Sequence, residues 1–162
     1  MNKMLTNINL VILDVDGTLT DGGVYIDSNG VETKKFNIKD GAGIVLAEKA
    51  GFDFMILTGR RSSCVEQRAK ELNIKYVYQG ISDKLSCLKS FLEEKNLQPQ
   101  NVVYMGDDIN DLECMEYVGY TACPKDAVEA IRCKVDFISQ YNGGCGAVRE
   151  LCDMLMKQQK YV

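Results

Sequence analysis

Short apolar runs alternate with stretches of helical periodicity along most of the chain, and this alternation constrains the fold more than any other feature. Buried strands of a parallel sheet read as continuous apolar runs, because helices cover both faces of the sheet. The predicted strands are residues 10–15, 52–57, 75–78, 101–105, 120–122 and 135–138. The predicted helices are residues 41–50, 62–72, 82–95, 109–117, 127–132 and 146–157. This order predicts a Rossmann-like α/β fold with a doubly wound, mostly parallel sheet.

One early segment departs from the alternation. Residues 24–26 and 32–36 flank the sequence Asp27-Ser28-Asn29-Gly30, a glycine-containing turn that predicts a β-hairpin projecting from the sheet. The chain contains only two prolines and no linker or repeat. A length of 162 residues therefore predicts a single domain over residues 1–162.

Composition excludes several classes of function. The chain has no histidine, which removes Ser-His-Asp triads, Cys-His pairs and histidine-ligated metals. A net charge of -4 argues against a nucleic-acid partner, and no apolar run is long enough to predict a membrane span or a signal peptide. The seven cysteines form no CxxC pair, so we expect reduced, mostly buried thiols in a cytoplasmic protein.

Two carboxylates follow the first predicted strand in the sequence Asp14-Val15-Asp16-Gly17-Thr18. Like charges this close favour a divalent cation between them. One carboxylate could attack phosphorus while the other moves a proton, which gives catalysis without histidine. A solvated acidic turn is the alternative interpretation, and the apolar strand before the motif argues against it.

A second acidic group follows the predicted strand 101–105. Asp107, Asp108 and Asp111 could add oxygen ligands to the same cation. Asp107 is the predicted metal ligand, while Asp108 and Asp111, three residues apart at a helix start, are predicted to cap the helix and support the site. Helix capping alone would explain one aspartate here but not three.

Two further segments are candidates for binding phosphate. Thr58, Gly59 and Arg60 end a strand before a helix, where a hydroxyl and backbone N–H groups can hold an anion. Lys84 stands near a predicted helix N-terminus, where the helix dipole disfavours a cation unless an anion is close. A merely capped helix and an ordinary surface lysine are the respective alternatives.

Together these motifs resemble the haloacid dehalogenase superfamily of phosphotransferases. The resemblance implies that Asp14 is the nucleophile and Asp16 the general acid and base, with Thr58 and Lys84 on the phosphoryl group. It also implies Mg²⁺ as cofactor, held by the Asp14 and Asp107 carboxylates and the backbone oxygen of Asp16. The segments 17–58 and 59–84 are too short to contain a cap domain.

Almost the whole chain resembles one capless family, the 3-deoxy-D-manno-octulosonate 8-phosphate phosphatases of lipopolysaccharide synthesis. The matching segments are DVDGTLTDG (14–22), KDGAGI (39–44), TGR (58–60), RAKEL (68–72), VYQG (77–80), DKL (83–85), GDD (106–108) and GGCGAVRE (143–150). The resemblance implies a homotetramer whose hairpins form a central barrel, with active sites shared between subunits and a C-terminal tail that can reach a neighbour's site. The implied substrate contacts are Asp16, Asn37, Ile38, Lys39, Asp40, Gly41, Thr58, Gly59, Arg60, Arg68 and Lys84.

Several alternatives remain open at this point. A related branch of the family acts on nine-carbon, sialic-acid-like 9-phosphates and has Glu after Thr-Gly, where this chain has Arg60. Val45 stands where some members carry an arginine that contacts the sugar. Arg68 could simply pair with Glu71 on its own helix. A regulatory phosphatase-like domain is the non-enzymatic alternative, although the Asp14–Asp16 pair and Lys84 are intact.

Overall fold

The computed structural model describes residues 7–159. In chain order its strands are β1 (Leu10–Leu13), β2 (Tyr25–Ile26), β3 (Glu32–Thr33), β4 (Asp53–Leu57), β5 (Tyr76–Tyr78), β6 (Val102–Met105), β7 (Tyr120–Cys123) and β8 (Phe137–Ile138). Its α-helices are α1 (Ile38–Lys49), α2 (Ser63–Glu71), α3 (Lys84–Lys95), α4 (Leu112–Tyr117), α5 (Glu129–Arg132) and α6 (Ala147–Gln159). Short helical turns cover Pro99–Asn101 and Ile109–Asp111, and Val15–Leu19 forms a turn in which Asp16 and Gly17 have non-helical dihedral angles.

Six strands form one sheet in the order β5-β4-β1-β6-β7-β8, and every neighbouring pair is parallel. Side chains alternate across it: Val11 and Leu13 face a core with α1, α2 and α6, while Leu10 and Ile12 face a core with α3, α4 and α5. All four residues of β1 are buried, because helices cover both faces. The predicted doubly wound parallel sheet is confirmed.

The remaining strands, β2 and β3, form a separate antiparallel hairpin. The Asp27 carboxylate accepts hydrogen bonds from the N–H groups of Asn29 at 2.8 Å and Val31 at 2.9 Å, which closes the turn. Gly30 has a φ of 79°, a conformation that favours glycine. Between the turn Val15–Leu19 and β4 the chain forms only this hairpin and α1, so no cap domain is inserted there.

Some details differ from the sequence predictions. Helix α1 begins at Ile38, three residues before the predicted start, because the Asn37 side chain accepts hydrogen bonds from the N–H groups of Lys39 and Asp40. All seven cysteines are free, as predicted, but only three are buried, so the expectation of mostly buried thiols is wrong. Within residues 7–159 no helix has the length and apolar character needed to cross a membrane.

Candidate active site

The carboxyl ends of three neighbouring strands bring the predicted catalytic residues to one edge of the sheet. β1 lies between β4 and β6, and Asp14, Thr58 and Asp107 follow these three strands. Ligands of parallel α/β sheets bind beyond such strand ends. A cavity of about 160 Å³ opens here. It is lined by Asp14, Asp16, Thr58, Gly59, Arg60, Asp107, Asp108 and Asn110.

Lys84 is the cation at the centre of a buried ion network. Its Nζ lies 2.8 Å from Asp14 Oδ1 and 2.7 Å from Asp111 Oδ1. The Tyr104 hydroxyl donates to the same Asp111 oxygen at 2.7 Å. Only 3% of the Lys84 side chain is exposed, so the surface-lysine alternative is wrong. Because removing charges from water is costly, a buried ammonium needs partners of this kind.

The carboxylates of the centre outnumber its single cation, and their pKa values reflect this. The pKa of Asp14 is raised to about 7, first by burial and then by the negative charge of Asp111, against the opposing effect of Lys84. Burial and the charges of Asp14 and Asp111 likewise raise the pKa of Asp107 to about 7. Burial alone would lower the pKa of Lys84, but its two carboxylate partners outweigh burial and raise it. The centre therefore favours binding either protons or a further cation.

The oxygen atoms of this centre suit a hard metal ion. One carboxylate oxygen each of Asp14, Asp107 and Asp111 lie within 4.8 Å of one another. Mg²⁺ prefers oxygen ligands of this kind. Asp111 already accepts hydrogen bonds from Lys84, Tyr104 and the N–H group of Asp107, so Asp14 and Asp107 offer the more available oxygens. This arrangement fits the predicted ligands, with Asp111 in a supporting position.

Backbone packing holds the two acidic segments together. The N–H group of Asp14 donates to the carbonyl of Met105 at 3.0 Å. Gly17 has a φ of 88°, and a Cβ at this position would clash with the Asp107 carboxylate. Asp108 caps the turn that follows β6 by accepting a hydrogen bond from the N–H group of Ile109 at 2.7 Å. The capping role predicted for Asp108 is present in the structure.

Thr58 and Arg60 take positions that the sequence predicted only in part. Thr58 is buried, and its N–H group donates to the carbonyl of Tyr78 at 3.0 Å. Helix α2 begins at Ser63, one residue after the predicted start, so Thr58 and Gly59 lie in the loop between β4 and α2. The Arg60 guanidinium forms an ion pair with Glu32 of the hairpin.

The predicted substrate contacts at the start of α1 lie apart from this cavity. Asn37 caps α1, and the buried Asp40 carboxylate accepts hydrogen bonds from the N–H groups of Gly146 at 3.2 Å and Arg149 at 2.8 Å. Lys39 lines a different cavity, of about 540 Å³, beside α6. Their contact with substrate stays a prediction.

The same separation holds for three more predicted contacts. Ile38, Gly41 and Arg68 line a groove between α1 and α2. Arg68 Nη1 lies 2.8 Å from Glu71 Oε2, and its Nη2 donates to the carbonyl of Asn37 at 3.3 Å. The pairing of Arg68 with Glu71 that the sequence left as an alternative is therefore present in the structure.

Sequence patterns missed two features beside the acidic segments. The N–H group of Gly144 donates to the carbonyl of Thr18 at 3.0 Å, and a Cβ on Gly143 would meet the carbonyl oxygen of Gly17. The glycine pair, which could have been a flexible turn, is thus a close backbone contact; its signals were the adjacent glycines and the family resemblance of residues 143–150. Lys34 forms an ion pair with Asp16, and nothing in the local pattern distinguishes it from Lys35.

Comparisons with known proteins agree with this geometry. A family model described as haloacid dehalogenase-like hydrolase matches residues 77–151. The chain is 44% identical over 153 residues to 3-deoxy-D-manno-octulosonate 8-phosphate phosphatase KdsC of Escherichia coli (strain K12), covering 94% of this chain and 81% of that one. It is 41% identical to the enzyme of the same name from Yersinia pestis, covering 94% and 82% of the two chains.

Solved structures give the same result. The crystal structure of the Yersinia pestis phosphatase matches with a TM-score of 0.94 at 40% identity, covering 96% of this chain and 84% of that one. The phosphatase of Moraxella catarrhalis, solved in complex with a magnesium ion, a phosphate ion and a KDO molecule, matches with a TM-score of 0.93 at 37% identity, covering 96% and 90%. The chain thus belongs to the 3-deoxy-D-manno-octulosonate 8-phosphate phosphatase family of haloacid dehalogenase-like hydrolases.

Proposed function

We propose that this chain is a Mg²⁺-dependent phosphatase that hydrolyses 3-deoxy-D-manno-octulosonate 8-phosphate to the free sugar acid and phosphate, in the synthesis of lipopolysaccharide precursors. The observation that carries the proposal is the buried pairing of Asp14 with Lys84, next to Asp107, at the cavity beyond β1. A carboxylate, a cation and a neighbouring acidic group so placed suit attack on a phosphate ester and stabilisation of its charge.

Asp14 and Asp16 perform the chemistry in this proposal. The Asp14 carboxylate attacks phosphorus, forming an aspartyl phosphate as the bond from phosphorus to the sugar oxygen breaks. Asp16 gives its proton to that oxygen, and then takes a proton from the water that attacks the aspartyl phosphate. Lys84 and the Thr58 hydroxyl hold the phosphoryl oxygens during both displacements.

The acidic centre would hold the cofactor. The carboxylates of Asp14 and Asp107 and the backbone oxygen of Asp16 are the proposed Mg²⁺ ligands. A bound Mg²⁺ neutralises negative charge on the nucleophile and on the phosphoryl group. The raised pKa values of Asp14 and Asp107 support a cation here, because both carboxylates gain stability from an added positive charge.

The positions of the remaining predicted substrate contacts support active sites that are shared between subunits. Arg60 lines the cavity and suits the substrate carboxylate, which a guanidinium can bind through two hydrogen bonds. Lys39 and Arg68 lie away from the cavity of their own chain, so we propose that they contact substrate in a neighbour's site. The exposed apolar residues of the hairpin, Val24 and Ile26, support the predicted homotetramer.

Three related predictions remain part of the proposal. Residues 1–162 act as one catalytic domain with a small-molecule substrate. The free thiols suit a reducing compartment, which supports the cytoplasm. The C-terminal tail predicted to reach a neighbour's site includes residues 160–162, which lie outside the described residues, so its role stays a prediction.

Phosphate release from a panel of sugar phosphates with Mg²⁺ tests the function. We expect kcat/KM to be highest for the eight-carbon acid phosphate, and Asp14→Asn to reduce it at least about a thousandfold. Asp53→Asn, which alters an exposed carboxylate paired with Lys75, is the matched control and should leave turnover unchanged. Preference for a nine-carbon acid phosphate would contradict the proposed substrate but would be consistent with the proposed reaction. No turnover by folded, Mg²⁺-bound protein would favour the regulatory-domain alternative.

A further inference from the structure

Lys34, which follows the second strand of the hairpin, reaches the acidic residue at the mouth of the cavity. Its Nζ donates to Asp16 Oδ1 and lies 3.4 Å from Glu32 Oε1. Only 3% of the Lys34 side chain is exposed, against 25% of the Asp16 side chain. A lysine that is buried this deeply at the base of an exposed hairpin needs a reason, because desolvating an ammonium group is costly.

The neighbouring lysine shows that burial is specific to position 34. The side chain of Lys35 is 63% exposed, and its Nζ lies 3.4 Å from Asp21 Oδ2. A hairpin that needed only surface charge would be served by Lys35. Lys34 instead points its charge at a carboxylate that lines the cavity, while Lys34 itself is not among the residues that line it.

We infer that Lys34 is a positioning residue for the general acid: it holds the Asp16 carboxyl group in the orientation from which the protonated form gives its proton to the leaving sugar oxygen. This inference rests on the proposed function. The hydrogen bond engages Oδ1, and Asp16 lines the cavity in which the reaction is proposed to take place. Glu32 steadies the arrangement, because it pairs with Lys34 on one side and with Arg60 on the other.

The role of Lys34 is confined to steps in which Asp16 moves a proton. In the first displacement the bond from Asp14 to phosphorus forms, the bond from phosphorus to the leaving oxygen breaks, and the Asp16 proton moves to that oxygen. A sugar alkoxide is a poor leaving group and needs this proton, whereas p-nitrophenolate leaves without it. Loss of Lys34 should therefore depend strongly on the leaving group.

The test compares first-turnover rates of Lys34→Met and wild-type protein, both with Mg²⁺, on two substrates. For 3-deoxy-D-manno-octulosonate 8-phosphate we expect the single-turnover rate to fall about 30-fold or more, with KM within about threefold of wild type. For p-nitrophenyl phosphate the burst of p-nitrophenolate should keep its rate within about threefold, and this burst also shows that the variant is folded. Lys35→Met, the matched control, should behave as wild type on both substrates.

A double variant separates positioning from a direct contact. Because Lys34 acts through Asp16, adding Lys34→Met to Asp16→Asn should lower the sugar-phosphate rate no further than Asp16→Asn alone. An equal loss on both substrates, or a further loss in the double variant, would overturn the inference and place Lys34 on the phosphoryl group. Wild-type protein that turns over neither substrate would instead contradict the proposed function itself.

Discussion

The acidic centre, formed by Asp14, Lys84, Tyr104, Asp107 and Asp111, and the hairpin of residues 24–33 are built in opposite ways. In the centre Lys84 and Asp111 are almost fully buried and pair with each other. In the hairpin the apolar side chains are exposed: 56% of Val24, 62% of Ile26 and 57% of Val31. The charged groups of the centre therefore find their ion-pair and hydrogen-bond partners within one chain. The hairpin instead presents an apolar surface that the described residues of this chain do not cover.

This difference suggests that the residues proposed for phosphoryl transfer and the residues proposed to select the substrate lie in different parts of the molecule. Asp14, Asp16 and Thr58, which are proposed to act on phosphorus, line one cavity, and Lys84 pairs with Asp14 behind it. The residues proposed to select the sugar acid are split between that cavity, where Arg60 lies, and surfaces near Lys39 and Arg68. If the proposed function and assembly hold, phosphoryl transfer depends on one subunit, and specificity depends on how the subunits assemble. The predictions that follow test the two parts separately.

Replacing the central cation should have the largest effect. Lys84→Met leaves the Asp14 and Asp111 carboxylates buried without their counter-ion, so we expect the free energy of unfolding to fall by about 3–5 kcal/mol. The contact with the phosphoryl group is lost as well, so kcat/KM should fall about a thousandfold. Chemical denaturation and steady-state kinetics measure the two effects.

Lys75→Met is the matched control for this substitution. Lys75 pairs with Asp53 at 3.0 Å, but 58% of its side chain is exposed. An exposed pair of this kind contributes about 0–1 kcal/mol, so stability and turnover should hardly change. If Lys84→Met were as harmless as Lys75→Met, the buried centre would not be the site of the chemistry.

Lowering the pH should weaken Mg²⁺ binding by an intermediate amount. Asp14 and Asp107 have pKa values raised to about 7, so both are mostly ionised at pH 8 and mostly protonated at pH 6. Mg²⁺ must displace these protons, so its dissociation constant should rise about 10-fold from pH 8 to pH 6 if one proton is released and about 100-fold if two are. Titration calorimetry in buffers of different ionisation enthalpy counts the protons.

The same shifts determine how stability without Mg²⁺ depends on pH. Both carboxyls titrate near their ordinary value of 3.8 in the unfolded chain and near 7 when folded. The folded state therefore binds more protons between these values, and its stability falls as the pH rises from about 4 to about 7. Added Mg²⁺ should raise the unfolding temperature more at pH 8 than at pH 6. An increase that is independent of pH would place the metal away from Asp14 and Asp107.

The sequence predicted the acidic centre better than it predicted the surroundings of the centre, for physical reasons. Asp14 and Asp107 were predictable because apolar strands precede them and parallel strands end at a common edge. The burial of Lys84 was not predictable from the sequence, since a lysine at a helix start has the same local pattern whether it faces solvent or a carboxylate. Lys34 was missed for the same reason, because its partner is Asp16, 18 positions away along the chain.

The smallest expected effect on turnover comes from the hairpin. Val24→Asp combined with Ile26→Asp places charges on its exposed apolar surface, where they oppose association with another subunit because desolvating them is costly. We expect the assembly to become smaller while the sheet stays folded. If neighbouring subunits complete the substrate site, kcat/KM for the sugar phosphate should fall about tenfold, mainly through KM. Light scattering, circular dichroism and steady-state kinetics measure these three outcomes.

Ile138→Asp provides the comparison for the hairpin variant. Ile138 is 41% exposed but lies on the edge strand β8, at the other end of the molecule's sheet from β5. The Ile138→Asp substitution should change neither the mass of the assembly nor the KM for the sugar phosphate. A hairpin variant that dissociates yet keeps the KM of wild type would show that one subunit suffices for specificity. The separation of Lys39 and Arg68 from the cavity would then exclude them as substrate contacts, leaving Arg60 as the remaining arginine or lysine candidate for the sugar carboxylate.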